Sequence, residues 1–252
     1  MITLAGPIGA GKTTLTRLLA NQLHTQAFEE PVGDNPILPL FYKGNEEAAK
    51  ARANGHPDAT NRYAFLQQIY FLYRRFAMIK QAMQNDNNVL DRSIYEDAIF
   101  MKMNTEMGNA TEIEWETYKH LLDEMMKELP YAAHKKAPDL MIYIKLDYST
   151  MLKHIQRRDR PYEQLSADPT LSDYYKNLLR HYDRWTKQYQ ASPLIEIDAT
   201  KYDFVNDINS TRHVLDVIYQ ELKSLGKLND AQYYDLKNRT SQLNLSNIPH
   251  TK

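Results

Sequence analysis

Short apolar runs alternate along this chain with longer stretches in which apolar residues recur at every third or fourth position. The apolar runs predict buried strands at 2–5, 27–30, 88–91, 140–146 and 194–198. A helical pattern begins near Thr13, and further helical stretches span about 61–84, 112–129, 170–190 and 204–225. Buried strands that alternate with helices are typical of a parallel sheet covered on both faces. The pattern therefore predicts a doubly wound α/β fold.

Two segments depart from this alternation. The stretch 45–61 is polar and contains Gly55 and Pro57, so we expect a surface insertion with at most one short helix. From Gly226 onward the chain is again polar, which predicts a peripheral helix or a tail. We therefore expect one main domain over residues 1–225 and a polar C-terminal extension over 226–252.

Composition and charge limit the possible partners. The 252 residues include 31 basic and 32 acidic side chains and no cysteine. Disulfides, cysteine-bound zinc and cysteine nucleophiles are excluded. A net charge of -1 argues against broad binding to nucleic acid or to an anionic membrane, so any anion is expected to bind locally. No apolar run approaches the roughly 18 residues of a spanning helix, and no charged leader is evident, so we expect a cytoplasmic protein.

The first strand is followed by a phosphate-binding motif. The pattern G-x-x-x-x-G-K-[ST] is matched by Gly6-Pro7-Ile8-Gly9-Ala10-Gly11-Lys12-Thr13, with Thr14 next in the chain. Glycines let backbone N–H groups surround phosphates, and the following helix N-terminus adds partial positive charge. Lys12 would reach the β and γ phosphates, and the Thr13 hydroxyl would hold a magnesium ion. The motif predicts binding of ATP or GTP with Mg²⁺.

The motif does not define the reaction, because switches, motors and small-molecule kinases share it. A GTPase would need an Asn/Thr-Lys-x-Asp segment, which the sequence lacks. A motor would need an arginine finger across a subunit interface and usually a longer chain. A kinase of a small acceptor would need carboxylates and arginines that converge beside the phosphate motif.

Charged residues follow the predicted strands, at the edge where doubly wound sheets place their functional groups. The second strand ends in Glu29-Glu30-Pro31 and the third in Asp91-Arg92-Ser93. A carboxylate there can accept the proton of an attacking hydroxyl or hold magnesium. Three arginines at 157, 158 and 160 predict a local anion site on a mobile lid, about residues 157–168, that closes over phosphates.

Together these motifs resemble the deoxyribonucleoside kinase family, nearest the bacterial deoxyadenosine and deoxyguanosine kinases. The matching segments are Gly6 to Thr13, Glu30-Pro31-Val32, Asp91-Arg92-Ser93 and Arg158-x-Arg160-x-x-Glu163, and the likeness extends from residue 1 to about 224. The resemblance implies a P-loop kinase with a five-stranded parallel sheet that acts as a homodimer. It also implies transfer of the ATP γ-phosphoryl group to the 5′-hydroxyl of a deoxyribonucleoside, in nucleotide salvage.

The resemblance assigns catalytic roles to Lys12, Glu30, Asp91 and Arg92. Glu30 matches a carboxylate that binds the 5′-hydroxyl and acts as general base. Asp91 stands where relatives usually have a glutamate near magnesium and the same hydroxyl, so which of the two accepts the proton is open. Arg92 would hold the 5′-oxygen and the incoming phosphoryl group, and Thr13 and Asp91 would serve the metal.

Further residues match the substrate site of the family. Tyr42 matches a tyrosine that contacts the sugar 3′-hydroxyl, with Glu163 of the lid as its partner. Lid residues Arg158 and Arg160 match two phosphate-binding arginines. His154 occupies a place where relatives often have another arginine, and the stretch 198–204 resembles a loop that packs on the ATP adenine.

The base site is expected on the helix at 61–84. Gln67 and Gln68 are adjacent candidates for the glutamine that contacts the base, and Gln67 is preferred because Arg74 follows seven residues later on the same helix face. Arg74 would pair with Asp97 and satisfy the polar edge of the base. This pair favours deoxyadenosine or deoxyguanosine, allows deoxycytidine and leaves the methyl group of thymidine poorly accommodated.

Two alternatives to a deoxynucleoside kinase follow from the same motifs. A thymidylate-type nucleotide kinase also has a phosphate loop, an Asp-Arg strand end and an arginine lid, but Glu30 would repel the phosphate of its acceptor. A nucleotide-dependent binding or regulatory protein would keep the phosphate loop without acceptor chemistry. The first of these is the main alternative.

Overall fold

The computed structural model describes residues 1–30, 33–85, 87–132 and 137–249. The strands are β1 (Ile2–Ala5), β2 (Ala27–Phe28), β3 (Val89–Asp91), β4 (Leu140–Lys145) and β5 (Leu194–Asp198). The helices are α1 (Lys12–Leu23), α2 (Leu38–Ala53), α3 (Ala64–Ala82), α4 (Ile94–Glu106), α5 (Glu112–Ala132), α6 (Tyr148–Arg158), α7 (Leu171–Gln188), α8 (Ile208–Ser224) and α9 (Asp230–Ser241).

Within these ranges the strands form one five-stranded parallel sheet in the order β2-β3-β1-β4-β5. Its centre is apolar, because β1 is buried along its whole length and β4 up to Ile144. Strands buried on both faces are what a parallel sheet between helices requires. The predicted doubly wound α/β fold is confirmed.

The strand order brings the functional loops together. β1 lies between β3 and β4, with Leu4 opposite both Asp91 and Ile142. The phosphate loop after β1 therefore emerges beside the Asp91-Arg92 segment after β3. Ligands bind at this carboxyl edge in open α/β sheets.

Two helices differ from the prediction. The first part of the stretch 45–61, expected to be an insertion with at most one short helix, belongs to α2, which continues to Ala53, and only 54–61 lies outside helices. Its inner face buries Phe41, Tyr42 and Ala48, and this tertiary burial outweighs a polar composition. The sequence pattern also omitted α4, which begins directly after β3 at a Ser93 N-cap.

The C-terminal extension forms a packed helix. α9 lies against α8 and α1 and buries Tyr233 and Leu236, and beyond it Arg212 donates to the carbonyl of Leu243 at 2.6 Å. The segment that was expected to form a peripheral helix or a tail thus forms a helix that packs against α1. Within the described ranges, the helices lack an apolar stretch that could span a lipid bilayer.

Candidate active site

One cavity of about 380 Å³ lies at the carboxyl edge of the sheet. The phosphate loop and α1 line one end, the strand ends at Glu30 and Asp91 line the middle, and α2 and α3 line the other end. Residues of the lid cover part of it, among them Arg158 and Glu163. A donor site and an acceptor site can therefore occupy one continuous space.

The phosphate loop has the backbone that its glycines permit. Gly9 and Gly11 have φ values of 79° and 85°, which side chains other than glycine rarely adopt. A Cβ on Gly6 would lie 2.5 Å from the Ile144 carbonyl oxygen, so the loop packs on β4 without space for a side chain. The Lys12 ammonium group donates to the carbonyls of Gly6 at 2.8 Å and Pro7 at 2.9 Å.

Lys12 is buried among charges of both signs. Burial is the largest influence on its pKa and lowers it, the nearby Arg92 lowers it further, and the net pKa is about 8. A triphosphate beside this ammonium group would favour its charged form.

A possible magnesium site lies where α1 meets β3. The Thr13 hydroxyl donates to Asp91 Oδ2 at 2.5 Å. Asp91 Oδ1 is buried and has no hydrogen-bond partner among the described residues. Burial raises the pKa of Asp91. Two hard oxygen ligands next to a phosphate loop, one of them unpaired, fit the way in which proteins hold Mg²⁺ together with phosphates.

The two glutamates after β2 have different environments. Glu29 is exposed at the margin of the cavity and accepts from Arg17 Nε at 2.5 Å and Nη2 at 2.6 Å. Glu30 lies inward, with Oε1 2.7 Å from Arg92 Nε and 3.2 Å from Arg75 Nη2. Burial raises the pKa of Glu30, but the surrounding cations outweigh it and lower the value to about 2. Glu30 is therefore ionised at every working pH. Pro31 and Val32, which complete the predicted motif, lie outside the described residues.

Arg92 holds a backbone conformation that costs energy. Its φ of 78° costs about 1–3 kcal/mol for a residue other than glycine, and such strain persists only where surrounding contacts impose it. Its N–H donates to the Leu4 carbonyl at 2.9 Å. Its guanidinium contacts Glu30, donates to the Tyr182 hydroxyl at 2.8 Å and lies over the Phe100 ring at 4.8 Å.

The end of the cavity that is lined by α2 and α3, where the base is expected to bind, differs from the prediction. The predicted Arg74–Asp97 pair is wrong, because Arg74 points to the surface and pairs with Asp34 at 3.2 Å. Arg75 instead contacts Asp97, with Nε donating to Oδ2 at 2.7 Å. Adjacent residues on a helix point about 100° apart, so a choice that differs by one residue exchanges the inner and outer arginines.

Both candidate glutamines lie at this end of the cavity. Gln67 and Gln68 are buried and line it. Seven residues separate Gln68 from Arg75, so the spacing argument that favoured Gln67 selects Gln68 once Arg75 is the inner arginine. The Gln67 amide has no hydrogen-bond partner among the described residues. Buried polar groups without partners are typical of positions that bind a ligand or water.

The pKa of Asp97 is raised above its usual value. Burial raises its pKa and outweighs the opposing influence of Arg75, which leaves the value at about 6. The carboxylate is therefore mostly ionised at neutral pH and is able to accept hydrogen bonds.

Tyr42 and Glu163 face each other across α2 and the lid. The Tyr42 ring packs on Tyr162 at 5.1 Å between centroids, and both Tyr42 and Glu163 are buried and line the cavity. Burial raises the pKa of Tyr42 well above its usual value, and Glu163 adds to this. The Tyr42 hydroxyl is therefore protonated and able to donate.

The lid arginines lie at the cavity and are held by one carboxylate. Arg158 donates to Glu163 Oε2, and Arg160 Nη1 lies 3.5 Å from Oε1. Arg157, for which the resemblance gave no role, also lines the cavity. His154 Nδ1 lies 2.7 Å from the Gly9 carbonyl oxygen, which joins α6 to the phosphate loop.

The loop after β5 closes the phosphate-loop end. Phe204 ring atoms lie 3.0 Å from the position that a Cβ on Gly11 would take. Phe204, at the end of the stretch 198–204, thus packs directly on the phosphate loop. The contact of this stretch with the ATP adenine stays a prediction.

Comparison with known proteins identifies the family. The family model for deoxynucleoside kinases matches residues 2–224. A deoxyguanosine kinase of Lactobacillus johnsonii is 50% identical over 91% of this chain and 96% of its own length. A deoxyadenosine kinase of Lactobacillus acidophilus is 46% identical over 90% of this chain and 99% of its own length.

Solved structures give the same relationship. A deoxyadenosine kinase from M. mycoides with bound dCTP has a TM-score of 0.65 and 26% identity, and covers 88% of this chain and 98% of its own. The same enzyme with bound dATP has a TM-score of 0.63 and 28% identity, over 79% and 90% of the two chains. These relatives do not favour a thymidylate-type kinase. The chain belongs to the deoxynucleoside kinase family, and it is a phosphotransferase.

Proposed function

We propose that this deoxynucleoside kinase acts on purine deoxynucleosides and transfers the ATP γ-phosphoryl group to their 5′-hydroxyl. The observation that carries the proposal is the position of Glu30, a partly buried carboxylate beside Arg92 in the cavity that also contains the phosphate loop. The names of the Lactobacillus relatives, deoxyguanosine kinase and deoxyadenosine kinase, support the purine preference.

In this proposal Glu30 accepts the hydrogen bond of the 5′-hydroxyl and Arg92 stabilises charge on the transferring group. A pKa of about 2 makes Glu30 a weak base, which suits a loose transition state in which the hydroxyl loses its proton late. Orientation then contributes more than basicity. Asp91 is left for the metal, because its Oδ2 is already bound by Thr13. This assigns the general base to Glu30.

Thr13 and Asp91 would hold Mg²⁺ together with the phosphates of ATP. A bound Mg²⁺ would neutralise charge that develops on the phosphates. Lys12 would exchange its two carbonyl partners for phosphate oxygens, and the backbone N–H groups from Ile8 to Thr14 would surround the β phosphate. Arg158 and Arg160 would contact the phosphates when they separate from Glu163.

Glu163 and Tyr42 would then bind the sugar 3′-hydroxyl. At the base, Arg75 donates and Asp97 accepts, and the amides of Gln67 and Gln68 can do either. Adenine and guanine both present acceptors and donors on their edges, so this set suits purines. Arg74 has no part in it.

Three further properties are proposed with the activity. Residues 1–225, including the lid at 157–168, form the kinase domain, and 226–252 form an extension. The chain is a homodimer through α3 and α5, whose surfaces expose Leu66, Tyr73, Ile113 and Leu121. Exposed apolar side chains on two helices that pack together suit a two-fold interface. The enzyme works in the cytoplasm, where ATP is supplied.

Initial rates test the activity. Each of the four deoxynucleosides is assayed with ATP and Mg²⁺, with and without chelator, using wild-type enzyme, Glu30→Gln and Glu29→Gln. We expect the two purine deoxynucleosides to be the best substrates and thymidine the poorest. Glu30→Gln should lower kcat by about 10²–10⁴-fold with ATP affinity retained, whereas Glu29→Gln should change it little because Glu29 pairs with Arg17.

Two results would contradict the proposal. Thymidine as best substrate would refute the purine assignment, and an active Glu30→Gln enzyme would refute the role of Glu30. Sedimentation of the wild-type enzyme and of Tyr73→Glu tests the homodimer. A monomeric wild-type enzyme would refute the homodimer and leave the proposed activity unaffected.

A further inference from the structure

Glu96 is a fully buried carboxylate that joins three parts of the chain. Its Oε1 accepts from the Ser93 N–H at 2.9 Å and so caps α4. Its Oε2 accepts from the Gly6 N–H at 3.1 Å and from the Tyr182 hydroxyl at 2.5 Å. One side chain therefore holds the start of α4, the first glycine of the phosphate loop and α7.

Tyr182 extends this contact to Arg92. Its hydroxyl is fully buried, donates to Glu96 and accepts from Arg92 Nη1 at 2.8 Å. Arg92 Nη1 also lies 3.4 Å from the Gly6 carbonyl oxygen and 3.7 Å from Glu96 Oε2. The four residues form a closed set of polar contacts, in which Gly6 is held at its N–H by Glu96 and approached at its carbonyl by Arg92.

The set connects the two halves of the reaction. Gly6 begins the loop that would hold the phosphoryl donor, and Arg92 contacts Glu30 at the site of the acceptor hydroxyl. Glu96 and Tyr182 are not among the described residues that line the cavity. They therefore act on substrates only through Gly6 and Arg92. Buried hydrogen bonds of this kind hold the groups that they join in fixed relative positions.

We propose that Glu96 and Tyr182 are positioning residues that fix Arg92 relative to the phosphate loop and so align the attacking oxygen with the γ-phosphoryl group. The proposal rests on the role proposed above for Arg92 at the acceptor. Alignment is sensitive to small displacements, because a shift of about 1 Å can cost about 10²-fold in rate. The two residues thereby contribute to kcat more than to the binding of either substrate.

Tyr182→Phe is the direct test, because it removes one hydroxyl and leaves the ring. We expect kcat with deoxyguanosine or deoxyadenosine to fall by about 10- to 100-fold, the size of a lost hydrogen bond to a charged group. Both KM values should change by less than about threefold, since no group that contacts substrate is removed. Glu96→Gln, which keeps the shape but loses the charge, should reduce kcat at least as much.

Tyr219→Phe is the matched control. Tyr219 is equally buried, and its hydroxyl accepts from Thr240 at 3.3 Å between α8 and α9. This variant should keep wild-type kcat, and thermal unfolding should give similar melting temperatures for both tyrosine variants. Wild-type kcat in Tyr182→Phe or in Glu96→Gln would overturn the proposal. So would an equal loss in Tyr219→Phe, or a rise in KM without a fall in kcat.

Arg92→Lys separates this proposal from the proposed function. If Tyr182 acts through Arg92, the double variant Tyr182→Phe/Arg92→Lys should be no slower than Arg92→Lys alone. Additive losses would overturn the positioning role. A fully active Arg92→Lys enzyme would instead refute the proposed role of Arg92, whatever Tyr182→Phe shows.

Discussion

Replacement of Arg75 by methionine removes the cation that joins the buried carboxylate of Asp97 to the partly buried carboxylate of Glu30. Arg75 is 1% exposed, and its guanidinium lies 2.7 Å from Asp97 and 3.2 Å from Glu30. Methionine retains most of the apolar length of the side chain, so the change is mainly one of charge. Arg74→Met is the control, because the adjacent Arg74 side chain is 38% exposed and pairs with a carboxylate that is 67% exposed.

The two substitutions should lower the free energy of unfolding by amounts that differ several-fold. Loss of one partner of a buried ion pair costs about 3–5 kcal/mol. Each kcal/mol moves the melting temperature of a chain of this size by about 2–4 °C, so Arg75→Met should lower it by roughly 6–20 °C. An exposed pair contributes at most about 1 kcal/mol, so Arg74→Met should lower it by a few degrees at most.

The pH dependence has a definite sign. The pKa of Asp97 is already raised to about 6 by burial, and loss of Arg75 raises it further. A raised pKa in the folded protein destabilises it at high pH, where the buried carboxylate is forced to ionise. The part of the stability loss in Arg75→Met that comes from Asp97 should therefore be largest above pH 7 and should diminish as the pH falls towards 6, below which Asp97 is protonated in both proteins.

Calorimetric unfolding at pH 7.5 and 5.5 measures this difference, and KM for deoxyguanosine and deoxyadenosine measures the effect on the base site. Arg75→Met should raise both KM values, and Arg74→Met should leave them near wild type. An equal rise in KM in Arg74→Met and Arg75→Met would refute the assignment of Arg75 to the base site. A free energy of unfolding for Arg75→Met within about 1 kcal/mol of the wild-type value would refute the buried ion pair.

Two further predictions follow from altered pKa values. Because burial and Arg92 lower the pKa of Lys12 to about 8, ATP binding should take up a proton near pH 8 and weaken as the pH rises further. Titration calorimetry in buffers of different ionisation enthalpy measures this uptake, and an uptake of zero at pH 8 would contradict it. Because the pKa of Asp97 is about 6, KM for purine deoxynucleosides should rise as the pH falls below 6. Asp97→Asn should abolish this pH dependence of KM. An unchanged pH profile of KM in that variant would show that another group causes the dependence.

The sequence predicts those parts of the fold and site that depend on local patterns. The five strands are apolar runs, and the phosphate motif lies between a strand and a helix in both sequence and structure. Glu30 and Asp91 follow apolar strands directly, and the parallel sheet brings such positions to one edge. The choice of Glu30 over Glu29 depends on the family resemblance, because both residues lie after β2, which ends at Phe28.

The sequence does not predict which arginine of α3 lies inside. Apolar residues occur on more than one face of this helix, and Ile79 is buried while Tyr73 is exposed, so the periodicity does not define a single inner face. Arg74 and Arg75 each have a carboxylate partner distant in the chain, Asp34 and Asp97. The choice depends on how α3 packs against α4 and α5, which no local pattern contains.

The same limit explains why Glu96 was not predicted as part of the site. Ser93-x-x-Glu96 matches a capping box, a local signal that accounts for the start of α4 and for one oxygen of the carboxylate. The other oxygen bonds to Gly6 and Tyr182, at separations of 90 and 86 residues. A buried carboxylate that only capped a helix would leave this second oxygen unpaired, at an energetic cost. The fold pairs it with the phosphate loop and, through Tyr182, with Arg92, so a common helix-capping residue is placed where it can align donor and acceptor.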